Sequence, residues 1–406
     1  SELEEMGEIQ GAGKAMILRK ITLPLVLPAI LSAVILTFSK AIGTFGTINY
    51  LGSPVQYYTL SSQLYMNINS RDTQTGFAMA ILMIIIASIA VFVNQKLIGS
   101  RKSYATIGGK GGRSTLIGLG KVGRPVITAA LFVFFAVGII MPIVILVMES
   151  FMLKEGIYSL DNFTLHYWIG ESNPQIMEGL PGIFKNDEFI NSLFNSLRLT
   201  LVNGVFGTIF GQLLGYITAK GRGRLHGKLV EQLVFIPYLI PSVAFGGIYL
   251  SMFSQPQQIF GVTLVPALYG TFALLTLVSV VKHLPFAARA GTSNMLQISG
   301  ELEEAATIEG AGFFRRFVKI VFPLSKGGFI SGFMLIFVSI MKELDLIILI
   351  MTPTTSTLPY LAFRYQNGNS PQASDCVAIV MFSIVFLVYA IANLSGKADL
   401  AKSMAG

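Results

Sequence analysis

The chain has 406 residues, of which 53% are hydrophobic and only 12% are charged. That is too few charged side chains to cover a soluble protein of this length, so the composition excludes a soluble globular fold and predicts an integral membrane protein. The single Cys376 excludes an internal disulfide and a cysteine metal cluster. His166, His226 and His283 lie in different segments without ligand spacing. We therefore expect no metal site and place these histidines on the surface or in loops.

Eight apolar runs are long enough to cross a membrane core of about 30 Å, which takes roughly 20 residues of α-helix. In chain order they lie at residues 24–48, 76–98, 125–148, 190–219, 229–253, 264–281, 323–350 and 376–394. The sequence therefore predicts an all-α polytopic membrane protein with eight spans in the lipid bilayer.

The distribution of charge orients these spans, because Lys and Arg concentrate in short cytoplasmic loops. Residues 96–124 hold seven basic residues and no acid, and residues 220–228 hold four basic residues and no acid. Residues 149–188 hold seven acids against two lysines, so we place them outside. The net charge of +8 is thus interpreted as membrane orientation, and we expect no nucleic-acid partner.

The chain opens with a polar segment that returns 299 residues later. Residues 3–13 read LEEMGEIQGAG, and residues 302–312 read LEEAATIEGAG. In each copy a Gly (Gly11 and Gly310) is followed, after nine residues, by an Ile and then by a Pro that precedes an apolar run. We name residues 2–24 the first loop and residues 301–323 the second loop, and alternation of the spans places both in the cytoplasm.

The same offset pairs later positions, such as Pro54 with Pro353, so the sequence predicts two homologous helical-bundle units. The first repeat comprises residues 1–98, a basic Gly- and Ser-rich linker comprises 99–124, and the second repeat comprises 125–406. The second repeat has six predicted spans, whereas the first has two after its loop. We therefore expect the first repeat to be incomplete, with four further spans upstream, so that a missing signal peptide is uninformative.

Each loop has the composition of a small helix-turn-helix. In the second loop, residues 301–310 contain good helix formers, and Gly310 and Gly312 then interrupt the helix. Residues 313–322 can form a second short helix, and Pro323 then starts the next span. Small side chains at Ala305 and Ala306 allow a partner to approach closely, while Glu303 and Glu304 offer anions to it. An amphipathic loop on lipid headgroups is the alternative, which two matching copies disfavour.

These loops resemble the signature of permease subunits of binding-protein-dependent ABC importers, which reads Glu-Ala-Ala, three residues, Gly, nine residues, Ile, one residue, Leu-Pro. The second loop departs from it only by Phe322 in place of Leu, and the first loop departs by Met6 and Gly7 in place of the alanines. The matching positions of the two loops are Glu304, Ala305, Ala306, Gly310, Ile320 and Pro323, and Glu5, Gly11, Ile21, Leu23 and Pro24.

The resemblance implies a multi-pass protein of the bacterial inner membrane whose two units adopt the importer-permease fold. By that resemblance, each loop docks on a separate ATPase subunit of a dimer, with the first loop as the weaker site, and an extracytoplasmic solute-binding protein delivers the solute. The chain has no G-x-x-x-x-G-K-[ST] motif. We therefore expect no catalytic residue and no cofactor here, with ATP bound by the partner.

Four charged residues, Lys40, Lys342, Glu343 and Asp345, lie in the spans that follow the loops, where ionisable groups are costly. In one hypothesis Glu343 and Asp345 line the translocation path, with Lys40 as their partner across the interface of the two units. In the other hypothesis, of equal weight, they form a buried ion pair that holds the units together.

The span that begins near Ile190 has polar residues at spacings of one helical turn, followed by glycines at spacings of three and four. We assign both sets to helix packing rather than to substrate contact. The polar residues are Asn191, Ser192, Asn195 and Ser196, and the glycines are Gly204, Gly207, Gly211 and Gly215.

As a fused permease with both units in one chain, the protein resembles most closely the importers of ferric iron. Residues 341–346 are similar to a Lys-Glu-Leu-Pro stretch of that group, with Asp345 in place of Pro. Thiamine, aminoethylphosphonate and polyamines are the alternative solutes. A gradient-driven secondary transporter is a different class, which leaves the doubled loop unexplained. An integral-membrane enzyme would need paired His or carboxylate groups, which the loops lack.

Overall fold

The computed structural model describes residues 2–99, 120–176, 179–259 and 261–394, and these are mainly helical. In the amino-terminal part the helices are α1 Glu2–Ile9, α2 Lys14–Ile17, α3 Leu23–Gly43, α4 Gly46–Gly52, α5 Leu60–Asn69, α6 Thr73–Gly99, α7 Gly120–Phe135 and α8 Met141–Glu149. The helices that follow are α9 His166–Ile169, α10 Asp187–Lys220, α11 Leu225–Leu239, α12 Ser242–Phe253, α13 Phe272–Met295, α14 Gly300–Ile308, α15 Phe313–Arg316, α16 Phe322–Leu324, α17 Lys326–Met341, α18 Leu358–Asn367 and α19 Pro371–Leu394.

Five of the described helical segments are long and apolar enough to cross a membrane, and two bent helix pairs raise that number to seven. The straight segments are Thr73–Ala90, Gly120–Glu149, Asp187–Lys220, Phe272–Met295 and Pro371–Leu394. The bent pairs are α11 with α12, at 98°, and Phe313–Leu324 with α17, at 76°. The first of the eight predicted spans corresponds to α3, several of whose side chains lie outside the described residues. The prediction of an all-α polytopic protein is confirmed.

Contacts divide the chain into two compact units whose boundaries differ from those of the repeats. The smaller unit contains the described parts of residues 1–42 and 85–145, and the larger contains those of 43–84 and 146–406. Residues 43–84 of the first repeat therefore pack with the second repeat. Most of the predicted linker lies outside the described residues, and its last five residues already begin α7.

The core of the larger unit forms where α10, α13 and α17 pack together, and the glycines of α10 permit this packing. A Cβ atom on Gly211 would lie 2.3 Å from Cβ of Ala287, and one on Gly215 would lie 2.5 Å from the backbone of Gly291. Such distances leave no room for a side chain, so the prediction that these glycines mark close helix contacts is confirmed.

Three of the four polar residues near the start of α10 also serve packing, as predicted, whereas Asn191 is exposed. Ser192 Oγ donates to Ser356 Oγ over 2.9 Å, and Ser196 Oγ accepts the Leu358 N–H over 2.7 Å. Asn195 donates to two carbonyl oxygens of the same 354–356 segment. These bonds hold that segment and α18 against α10.

Three of the predicted spans differ from the observed helices. The run 323–350 is shorter than predicted, since α17 ends at Met341 and leaves Lys342, Glu343 and Asp345 beyond the helix. The run 229–253 is broken at Ile240 and Pro241, because Pro241 has no N–H to continue the helix. The run 264–281 is displaced, since a two-stranded hairpin occupies Gln257–Ile259 and Val262–Val265 and the helix spans Phe272–Met295. The predicted span ends at Val281 because two ionisable residues, Lys282 and His283, follow the apolar run. The observed helix continues through both of them and buries their side chains.

Candidate functional site

The two loops have the same backbone, residue for residue. In the first loop, α1 and α2 are separated by a turn at Gly11 with a φ of 79°, and in the second, α14 and α15 are separated by a turn at Gly310 with a φ of 78°. A φ in this range favours glycine, which explains why both loops have one at this position. A five-residue π-helical segment then follows at Leu18–Thr22 and again at Phe317–Val321. The predicted helix-turn-helix is thus observed twice.

In the second loop the two glutamates face different surroundings. Glu304 and Ala305 are exposed, and Ala306 is partly exposed. Glu303 is only 7% exposed, and its carboxylate binds the Lys220 ammonium and the Tyr216 hydroxyl at the end of α10. The charge of Glu303 is therefore paired within the chain, and its contact with a partner stays a prediction.

The departure of the first loop from the signature has a steric reason. Gly7 is buried, and a Cβ there would lie 3.0 Å from Ile21 Cδ1 and 3.3 Å from Ile17 Cγ1. The position equivalent to Ile17 in the second loop is Arg316, which instead binds Thr307 and the Ala311 carbonyl. Glu5 remains exposed in the first loop, as Glu304 does in the second. The glycine therefore makes room for Ile17 and Ile21, and the shape of the loop is preserved.

The motif residues that follow the turns connect the second loop to a membrane helix through a bend. Ile320 lies in the π-helical segment, and Pro323 lies in the three-residue α16. Ser325, which is buried, then marks the 76° bend before α17. The prediction that Pro323 starts the span is thus wrong by three residues. In the first loop Ile21 likewise lies in the π-helical segment, whereas Pro24 is already part of the long helix α3.

Glu343 lies in a cluster of charged groups inside the larger unit. Its Oε2 atom is 3.4 Å from Nε2 of His283, and its Oε1 atom accepts the Leu346 N–H over 3.0 Å. Nδ1 of His283 lies 2.9 Å from the Ser279 carbonyl, which can only accept, so Nδ1 carries a proton. A hydrogen bond between Nε2 and Glu343 requires a second proton, either on the imidazole or on the carboxyl group. The expectation that His283 lies on the surface or in a loop is therefore wrong, as it is 3% exposed.

The adjacent Lys282 stabilises the break between α11 and α12. Its ammonium group donates to the carbonyls of Pro237, over 2.9 Å, and of Ile240. These carbonyls lie at the end of α11, where a helix leaves acceptors without partners. The side chain is 7% exposed and lies over the Phe245 ring at 5.3 Å. Lys282 thus acts as a cap for a helix end inside the protein.

Asp345 joins the two repeats inside the larger unit. Its carboxylate accepts the N–H groups of Phe45, over 3.1 Å, and of Gly46, over 2.9 Å. Gly46 is the counterpart of Asp345 under the offset of 299 residues, so equivalent positions of the two repeats meet here. Lys40 is exposed on α3 in the smaller unit, and its pairing with Glu343 stays a prediction. Asp345 thus contacts the other repeat, whereas Glu343 pairs within its own repeat, and both hypotheses for these acids stay predictions.

Replacing Asp345 by Ala should loosen residues 43–69 from the second repeat. Two N–H groups would lose their acceptor, at a cost of about 1–3 kcal/mol for each buried donor that stays unsatisfied. Hydrogen exchange should rise in residues 45–69 and stay unchanged in α10. Asp345→Asn keeps one oxygen acceptor and should have an intermediate effect. Equal exchange in the wild type and in both variants would contradict this role.

Sequence reasoning missed four of these residues, namely Tyr216, Lys220, Lys282 and His283. Lys282 and His283 gave a usable signal, because two ionisable residues follow directly on an apolar run and such residues inside spans are costly. Tyr216 and Lys220 gave none, since a basic residue at a cytoplasmic helix end is ordinary. Among the described residues, no group of three or more His, Cys, Asp or Glu side chains is arranged to hold a metal ion.

The described structure defines a multi-pass α-helical membrane protein with a duplicated polar loop that leads into a membrane helix. A family model described as "Binding-protein-dependent transport system inner membrane component" matches residues 1–104 and 207–398. The chain belongs to this family, and it is a multi-pass protein of the inner membrane. The resemblance inferred from the loops is thereby confirmed.

Several curated proteins are similar to this chain. It is 22% identical over 412 residues to the ferric transport system permease protein FbpB of Actinobacillus pleuropneumoniae, an alignment that covers 99% of this chain and 56% of that protein. It is 28% identical to the molybdate/tungstate permease WtpB of Thermococcus kodakarensis, over 50% of this chain and 76% of that protein. It is 24% identical to the sulfate permease CysT of Escherichia coli, over 57% of this chain and 80% of that protein. The chain thus spans little more than half the length of the ferric permease.

A solved structure shares the fold. A chain of a bacterial ABC transporter involved in the import of the acidic polysaccharide alginate superimposes with a TM-score of 0.52 at 16% identity. The superposition covers 66% of this chain and 94% of that one. At this identity the likeness concerns the fold alone, and it agrees with the permease fold that the loops predicted.

Proposed function

We propose that this chain is the membrane-spanning permease, or part of it, of an ATP-driven importer, and that its loops dock on a separate ATPase dimer. The observation that carries the proposal is the duplicated loop, in which a short exposed helix is followed by a positive-φ glycine and a π-helical segment. Glu304 and Ala305 are presented on the exposed side of that helix. ATP is bound and hydrolysed by the partner, and an external binding protein delivers the solute.

The geometry supports a route from the second loop to the middle of the protein. Movement of α14 is passed through the π-helical segment and the bend at Ser325 to α17. The residues that follow α17 include Glu343 and Asp345, which contact α13 and the first repeat. Closure of the ATPase dimer would move the loops together and open the path outward, and ATP hydrolysis would reset it.

Replacing Glu304 by Arg should weaken the association with the ATPase at least tenfold, which corresponds to about 1.4 kcal/mol. The change reverses an exposed charge that we place at the docking surface, and it leaves Glu303 and its contacts in place. The measurement is co-purification of the ATPase with affinity-tagged permease, followed by a binding titration. Glu155→Arg, the same charge reversal at an exposed position of the segment predicted to lie outside, is the matched control. Association that is equal in wild type and Glu304→Arg would contradict the docking role.

Ferric iron is the solute that we propose first, because the alignment with the ferric permease covers 99% of this chain. Sulfate and molybdate or tungstate enter as further candidates from shorter alignments, beside thiamine, aminoethylphosphonate and polyamines. Uptake of radiolabelled ferric iron, sulfate and molybdate by cells with and without the protein would distinguish them. Uptake of sulfate or molybdate, without iron, would overturn the choice of iron and leave the importer class intact.

A further inference from the structure

The carboxylate of Glu303 joins the second loop to the end of α10. Its Oε1 atom is 2.6 Å from Nζ of Lys220, and its Oε2 atom accepts a hydrogen bond of 2.7 Å from the Tyr216 hydroxyl. Tyr216 and Lys220 are one helical turn apart on α10, so both point to the same side of that helix. We name these three residues the Glu303 bridge. Both carboxylate oxygens are bound, and the Glu303 side chain is 10% exposed.

The aromatic ring of Tyr216 extends this connection to the other half of the loop. It makes edge contacts with Phe313 of α15 and with Phe317 of the π-helical segment, both at 5.7 Å between ring centroids. Within the loop, the Arg316 guanidinium donates to Thr307 Oγ1 over 2.8 Å and to the Ala311 carbonyl over 3.1 Å. The loop is therefore one cross-linked piece, and Tyr216 contacts both of its halves.

Beyond this connection, α10 packs with its backbone close to that of α13. Gly211 and Gly215, which precede Tyr216 and Lys220 on the same helix, bring its backbone against Ala287 and Gly291. Since packed interiors deform little, a displacement at the end of α10 is passed on to α13. His283, which binds Glu343, lies on that helix.

The first loop uses the equivalent carboxylate differently. Glu4 is the counterpart of Glu303, and it accepts a hydrogen bond from Thr22 of its own loop. The counterpart of Thr22 in the second loop is Val321, which has no hydroxyl group to donate. The two loops thus share a backbone and differ in what their first glutamate holds, so the first loop is a control within the same molecule.

We propose that Lys220, Tyr216 and Glu303 are positioning residues that transmit movement of the second loop directly to α10, beside the route through α17. This inference rests on the proposed function, because it concerns what happens when an ATPase moves the loop. It assigns Glu303 to transmission and leaves docking to the exposed Glu304.

The first measurement is hydrogen exchange on the purified protein in lipid nanodiscs, which requires no ATPase. Lys220→Met should raise exchange of the α14 amides about tenfold and leave those of α1 unchanged. Tyr216→Phe keeps the ring contacts and loses one hydrogen bond, so a smaller rise is expected. Lys228→Met removes an exposed charge from the same cytoplasmic segment and should change nothing. Unchanged exchange in α14 of Lys220→Met would overturn the bridge.

The second measurement is ATP hydrolysis by the permease with its ATPase subunits and its binding protein in the same nanodiscs. In Lys220→Met the ATPase should still associate, while the stimulation of hydrolysis by the binding protein should fall about tenfold. The swapped variant Lys220→Glu with Glu303→Lys should recover most of it, since the opposite charges face each other again. Full stimulation in Lys220→Met would overturn transmission through the bridge. Wild-type protein that associates with no ATPase would instead overturn the proposed function, and the transmission with it.

Discussion

Replacing His283 by Ala should destabilise the protein by about 3 kcal/mol, the lower end of the range for breaking a buried ion pair from one side. The lower end applies because the Glu343 side chain is 18% exposed and so is not fully buried. Of the two contacts described above, the remaining carboxylate would keep the hydrogen bond from the Leu346 N–H and lose the one with His283. Denaturant titration in mixed micelles measures the change in the free energy of unfolding.

The double variant His283→Ala with Glu343→Gln is the matched control. It removes the charge that the single variant leaves unpaired, so it should regain about half of the lost free energy. A double variant that is as unstable as His283→Ala would show that the cost is a cavity rather than a buried charge.

Glu343→Gln alone also separates the two hypotheses for the acids near the end of α17. Glutamine can accept the Leu346 N–H with its oxygen and donate to His283 with its nitrogen, so the loss of stability should be about 1 kcal/mol. We expect solute uptake within about twofold of wild type, because the partner of Glu343 is a side chain of its own repeat. Loss of uptake in a stable Glu343→Gln protein would contradict this and restore the role in the translocation path.

Replacing Gly211 by Ala should cost roughly 1–3 kcal/mol through overpacking. The new methyl group would lie 2.3 Å from Cβ of Ala287 and 2.6 Å from its backbone carbon, so α10 and α13 must move apart. The neighbouring Gly215, where an added Cβ would lie 2.5 Å from the Gly291 backbone, could not keep its close approach to α13 if the two helices separated. The apparent melting temperature in detergent, together with the fraction of monodisperse protein, measures the effect.

A glycine of α17 provides the comparison for Gly211. A Cβ on Gly327 would meet no atom within 4 Å, and its backbone φ is ordinary for a helix. Gly327→Ala should therefore be neutral or stabilise the helix slightly, since Ala has the higher helix propensity by about 1 kcal/mol. If Gly211→Ala and Gly327→Ala behave alike, the close approach of α10 and α13 is not what Gly211 provides.

How much of the site could be predicted depended on whether the signal was local. The backbone of each loop follows from its own residues, since Gly11 and Gly310 fix the turn and the helix formers before them fix the first helix. Glu304 and Ala305 could be placed on an exposed helix for the same reason. The destination of Glu303 could not be predicted, because Tyr216 and Lys220 lie more than 80 residues away in the chain.

The sequence by itself determined the membrane class, the two repeats, the shape of the loops and the family, because composition, periodicity and glycine placement act over short stretches of chain. Only the tertiary structure decided what the charged residues do. The partners of His283, Glu303 and Asp345 come from distant segments, and the free energy of a buried charge depends on those partners rather than on its neighbours in sequence. The same holds for the break at Pro241, where the capping group is Lys282, some 40 residues further along the chain.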